Sequence, residues 1–188
     1  MIVTLSRKEL NDCKQAATLR WQLARLSGVT NQRKDKGRTD QDLDFLGIKA
    51  ELAVSKVFDL DFNPFQLGVD DGADMFLHNI SIDVKSTFYP HGKLLFKSKK
   101  SFKSNCSVLV AKVDEDKMNV AGFATKTMFL EQAVQNDLGH GKGWMIEQSE
   151  LLPLSKLWEV ATEQKLYKPK RESNTWHSTQ HSFSHTSL

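Results

Sequence analysis

Apolar and polar residues alternate from Met75 to Val84 (MFLHNISIDV), whereas upstream the apolar positions recur every three or four residues, so the chain predicts two amphipathic helices leading into a sheet. The first helix spans Ser6 to Leu26: Ser6 and Glu9 fit a capping box, neither Gly nor Pro interrupts, and Gly28 supplies the stop. Ala16, Leu19, Leu23 and Leu26 mark one apolar stripe, and Leu10, Cys13 and Ala17 mark a second beside it. Together they make a wide face for the rest of the domain, or for the second subunit of a homodimer, to cover. The second helix, about Asp42 to Leu60, has its buried stripe at Leu43, Leu46, Gly47, Ala50, Val54, Val57 and Phe58.

The alternating stretch predicts a hairpin. With His78 and Asn79 as a two-residue turn, Leu77 lies opposite Ile80, Phe76 opposite Ser81, Met75 opposite Ile82 and Asp74 opposite Asp83. Met75, Leu77, Ile80, Ile82 and Val84 then share an apolar face, and Asp74, Phe76, Ser81, Asp83 and Lys85 share the other. Leu94 to Lys97 predicts a short strand that closes a second hairpin with the Asp83 strand through Tyr89-Pro90-His91-Gly92. Ser107 to Val113 is a near-continuous apolar run suited to a central strand, and Asn119 to Thr125 predicts its neighbour. Met128 to Val134 predicts a helix on the sheet and Trp144 to Glu147 a last strand, after which Leu151, Leu152, Leu154, Leu157 and Trp158 finish the packing. The expected organisation is an N-terminal helix within residues 1–30, a core over 40–160 and a polar, disordered tail over 165–188.

A chain of 188 residues with 39% hydrophobic and 26% charged residues can bury one sizeable core, so one domain is expected. No apolar run approaches the roughly 20 residues that span a bilayer. MIVTLSRKEL also lacks the apolar region and cleavage site of a signal peptide, which predicts a cytoplasmic protein with no membrane partner. Cys13 and Cys106 are too few and too far apart for a disulfide framework or a zinc site. The net charge of +3 is small, but the positive charge is clustered. Arg33, Lys34, Lys36 and Arg38 lie in a polar loop, and Lys93, Lys97, Lys99, Lys100 and Lys103 are interleaved with Phe96 and Phe102. A solvated charged loop is the ordinary meaning of such runs; beside a site that handles phosphates, the second run predicts contact with a nucleic-acid backbone.

Two carboxylates facing each other across a hairpin repel, and a divalent cation between them would turn repulsion into coordination, since hard oxygen ligands suit Mg²⁺. Asp74 and Asp83 are such a pair in the predicted register, with Lys85 two residues along the same face. Glu51 falls on the buried stripe of the second helix, where a carboxylate needs a cation, either a metal or a lysine or arginine. Two other patterns carry less. LGHGKG (138–143) lacks the Ser or Thr that a phosphate loop places after its lysine. His177, His181 and His185 have the spacing of a metal site on a helix, but the Ser and Thr around them oppose a helix.

Gly47-x-x-x-Glu51 in a helix, then Asp74, then Asp83-Val84-Lys85 followed by Ser86 and Thr87, resembles the PD-(D/E)xK nuclease superfamily, the restriction-endonuclease-like fold, over residues 42–125. No Pro-Asp pair precedes the hairpin; Ala73-Asp74 stands there, with Asp70 and Asp71 as rivals for the same role. The resemblance implies an α/β fold with a central mixed sheet of about five strands flanked by helices and the active site at one sheet edge. It implies a Mg²⁺-dependent deoxyribonuclease, an endonuclease rather than an exonuclease, from a bacterial or phage-infected cell, with Mn²⁺ able to replace Mg²⁺. Asp74 and Asp83 would then ligate the metal, Glu51 would do so directly or through water, and Lys85 would orient or help deprotonate the attacking water. The alternative is a DNA-binding or structural protein that keeps the fold without turnover; such a protein has no need of two carboxylates near phosphate.

Overall fold

Thr39 and Asp42 bond to each other reciprocally at the start of the second helix, which is why that helix begins at Asp40, two residues before the expected start at Asp42. The computed structural model describes residues 1–28, 37–66, 72–137 and 141–166. Asp70, Asp71, Arg33, Lys34, Lys36, the first part of LGHGKG and the three spaced histidines lie outside the described residues.

The elements are β1 (Ile2–Thr4), α1 (Arg7–Leu26), α2 (Asp40–Phe58), β2 (Met75–Leu77), β3 (Ile80–Thr87), β4 (Leu94–Phe96), β5 (Cys106–Lys112), β6 (Lys117–Thr125), α3 (Lys126–Gln132), β7 (Val134–Asp137), β8 (Lys142–Ile146) and α4 (Leu154–Leu166). Five strands form a mixed sheet in the order β1-β6-β5-β3-β2, in which only β3 and β5 run parallel. The protein is therefore α/β with a five-stranded mixed sheet flanked by helices, as the hydrophobic pattern and the resemblance both led one to expect.

The period of two divides the sheet between two cores. Ile82, Val108 and Val110 face α2, where Leu46, Ala50, Ala53, Val54 and Phe58 meet them and Leu157 and Ala161 of α4 join. Leu109 and Ala124 face the other way, onto Leu94, Phe96, Phe102, Phe129 and Ile146. The capping box of α1 is present, and the domain itself covers the second stripe and the start of the first: Cys13 and Ala17, with Ala16, pack against Ile48 of α2, and Leu10 packs against the main core.

Three expectations need correcting. The first 30 residues are more than a helix, because Ile2–Thr4 pairs with β6 and forms an edge of the main sheet. Leu94–Phe96 does not close a hairpin with the Asp83 strand; it pairs antiparallel with β8 in a second sheet of order β4-β8-β7. Finally, Val134 opens β7 rather than closing the preceding helix.

Candidate active site

The β2–β3 hairpin has the register its alternation predicts, Met75↔Ile82, Phe76↔Ser81 and Leu77↔Ile80. His78 takes the left-handed φ of 55° that closes the turn, a conformation His adopts more readily than most residues. Leu77, Ile80 and Ile82 are buried while Phe76 is exposed, so the faces are sorted as expected. Asp74 departs from the simple picture. It lies one residue before the first pair of β2, its amide donates to the Ile82 carbonyl at 2.8 Å, and its Oδ2 accepts from the Val84 amide at 2.6 Å. Its carboxylate therefore turns onto the backbone of β3 instead of standing across the ladder from Asp83.

Asp83 is 8% exposed, and its Oδ1 lies 2.5 Å from the Lys85 ammonium, which projects from the same face two residues on. Lys85 also sits over the Phe96 ring, 5.0 Å from its centroid, so the second sheet helps fix it. Ser107, the partner of Asp83 in the parallel ladder, has a fully buried hydroxyl that makes no hydrogen bond among the described residues. An unpaired buried hydroxyl is costly, and this one lies beside the site.

Glu51 comes from α2 with its side chain 16% exposed, and Arg20 of α1 places Nη2 3.4 Å from its Oε2. An arginine partner was the alternative to a metal for this residue, and the structure supplies one. Burial, offset by the Val84 amide, pushes the Asp74 carboxyl up to about 7, and the negative charges of Glu51 and Asp83 push it the same way while Lys85 pulls it down. All three candidate charges thus act on Asp74. As the side chains stand, no group of three His, Cys, Asp or Glu among the described residues is close enough to hold a metal ion. The remaining oxygens, Asp74 Oδ1 and Asp83 Oδ2, accept no hydrogen bond among the described residues.

No protein-family model, curated protein or solved structure matches the chain.

The lysine-rich segment divides in two. Phe96 and Phe102 stack with centroids 4.5 Å apart, and Phe129 meets both edge-on. This aromatic anchor leaves Lys97, Lys100 and Lys103 exposed, with the Lys103 stem lying against Gly72. Lys93 and Lys99 turn inward: Lys93 bonds Glu147 at 2.6 Å, and Lys99 donates to the Leu130 carbonyl at 2.5 Å and sits over Trp144. Of the five lysines expected to contact a nucleic-acid backbone, Lys97, Lys100 and Lys103 are exposed, and Lys93 and Lys99 are bonded within the protein.

Sequence reasoning missed Arg20 and Ser107. Arg20 follows Ala16 and Ala17 by four and three residues, which places it on their face of α1; that spacing was the available signal. Ser107 carried none, since a serine at the start of an apolar strand is unremarkable until its neighbour is known.

Proposed function

We propose that the protein is a Mg²⁺-dependent deoxyribonuclease of the restriction-endonuclease-like kind. The observation that carries this reading is that Glu51 of α2 and Asp83 and Lys85 of β3 all act on the buried carboxyl of Asp74, which lies one residue before β2 at the edge of the mixed sheet. A pair made only to hold the fold together would match one carboxylate to one cation, whereas here the charges of Glu51 and Asp83 both raise the Asp74 carboxyl while Lys85 lowers it.

The donor set fits the metal. Mg²⁺ is commonly held by one or two carboxylates, with waters and substrate phosphate oxygens completing its shell, so Asp74 and Asp83 would be the residues to hold it, each having one carboxylate oxygen not engaged with the Val84 amide or the Lys85 ammonium. When bound, the ion supplies Lewis acidity toward the phosphate and a more acidic water. The chain's own residues do the rest. Asp83 holds the Lys85 ammonium in place, and Lys85 offers charge to the phosphate oxygen on which negative charge develops. Glu51, held by Arg20, reaches the site directly or through water. Lys97, Lys100 and Lys103 neutralise the backbone of the bound strand and set its path.

The two ion pairs, Arg20–Glu51 and Lys85–Asp83, favour a second reading in which the charges are structural and the protein binds DNA without cutting it. Incubation with linear, nicked, branched and single-stranded DNA, in Mg²⁺ and in EDTA, separates the two. Cleavage that needs Mg²⁺ and disappears in Lys85→Met supports the nuclease. Binding to these substrates without cleavage of any supports the second reading.

A further inference from the structure

A cavity of about 550 Å³ lies away from the four residues just described, with Arg38, Phe45, Lys49, Phe88, Pro90 and Lys112 among its walls. It sits beyond the carboxyl ends of β3 and β5, past the last parallel pair, Thr87↔Ala111, and the first turn of α2 borders it through Asp42. Ligands of α/β proteins gather in that position, and the volume is within the roughly 300–1,000 Å³ of small-molecule sites.

Its lining combines two chemistries. Lys49 is 2% exposed, donates to the Glu115 carbonyl at 2.9 Å and lies 4.6 Å from the Phe45 centroid; an ammonium has three donors, and the carbonyl takes one. Arg38 stacks over Phe88 at 4.2 Å and lies 5.4 Å from the exposed Tyr89 ring, and Lys112 brings a third positive charge. Two carboxylates oppose them. Asp42 is occupied in capping Thr39, and Glu115 is exposed at the rim. A purely apolar ligand would not need the cations, and a bare inorganic anion would not need the rings. Arginine stacked on aromatic rings is the surface on which unpaired bases stack.

We propose that this cavity binds a nucleoside phosphate, base against the Phe88 and Arg38 side and phosphate toward Lys112 and Lys49, taken either as a free nucleotide or as an unpaired nucleotide of a DNA strand. The site is independent of the metal-binding carboxylates and stands whether or not they cut DNA.

The test is calorimetric titration of the full chain in EDTA with dAMP, with deoxyribose 5-phosphate and with a short oligo-dT. Binding of dAMP identifies the free nucleotide as a ligand, and binding of the oligonucleotide alone identifies the strand. In either case Lys112→Ala should weaken affinity about tenfold, as loss of a charge-assisted bond implies. Phe88→Leu should weaken the base-containing probes and spare the sugar phosphate. Lys49→Met is avoided because this buried lysine is bonded to the Glu115 carbonyl and its loss would perturb the fold as well as the cavity. Failure of dAMP and oligo-dT to bind at millimolar concentration, or wild-type affinity in both Lys112→Ala and Phe88→Leu, would overturn the proposal.

Discussion

Arg20 of α1 and Glu51 of α2 form an ion pair 3.4 Å long at the flank of α2, on the side toward α1. The arginine helps a carboxylate sit on a largely buried helix face close enough to act on Asp74. Its removal takes one positive charge away from Glu51. Arg20→Ala should therefore be less stable than the wild type in EDTA, by about 1 kcal/mol for a partly exposed pair, and should gain more stability from Mg²⁺. Urea melts with and without the ion measure both quantities. Equal stability in EDTA would place this pair among those that contribute nothing measurable.

The Asp74 carboxyl supplies a pH dependence with a definite sign. Its ordinary value is 3.8 and burial, with the neighbouring carboxylates, raises it to about 7 in the fold. Between those values the folded protein holds a proton that the unfolded chain has released, so the group's contribution to stability is complete below pH 3.8 and is lost as pH rises toward 7 and beyond. The limiting slope for one group is about 1.4 kcal/mol per pH unit. Asp74→Asn, compared with the wild type by urea melts in EDTA from pH 4 to 8, should gain relative stability up to about pH 7 and level off above it. A difference that does not change with pH would mean that Asp74 is ionised throughout.

Much of this arrangement was legible because it is local. Ser6 with Glu9 announced α1, and the strict alternation from Met75 to Val84 placed Asp83 and Lys85 on one face of β3. The unread parts depend on distant residues. Ile2–Thr4 is too short for its period to register, and its partner β6 lies at the other end of the sheet sequence. Leu94–Phe96 points by sequence to the nearest strand, whereas its real partner, β8, becomes a neighbour only after β5, β6, α3 and β7 have intervened. The turn of Asp74 onto the Val84 amide reflects a strand that ends one residue early, which no pattern of apolar positions encodes.

The lysines make separable predictions. Substituting Lys97, Lys100 and Lys103 with alanine should weaken DNA binding regardless of sequence and lower the slope of log affinity against log salt by roughly 0.9 for each lysine that meets a phosphate of duplex DNA. Lys93 and Lys99 are bonded to Glu147 and to the Leu130 carbonyl, so alanine there should affect thermal stability more than the salt slope. Titrations at several salt concentrations distinguish the two groups, and an unchanged slope in the triple variant would remove this face from the DNA path.

Asp83→Asn tests the site as a whole, because two effects of the carboxylate oppose each other in the metal-free protein. Asp83 holds Lys85 at 2.5 Å, and its charge also raises the Asp74 carboxyl. Loss of the first interaction destabilises and loss of the second stabilises. The lysine is 39% exposed on its side chain, so water compensates part of its loss and the net change in EDTA should stay within about 1 kcal/mol. The Asp74 titration, followed by carboxyl carbon chemical shift, should fall below its wild-type midpoint, because one of the charges that raise it has gone. Mg²⁺ should add little stability to this variant, since an ion stabilises the fold only where it can bind. A nicking assay on plasmid DNA should show no cleavage. An Asp74 midpoint that does not move would separate the two carboxylates electrostatically, and wild-type nicking would remove Asp83 from the chemistry altogether.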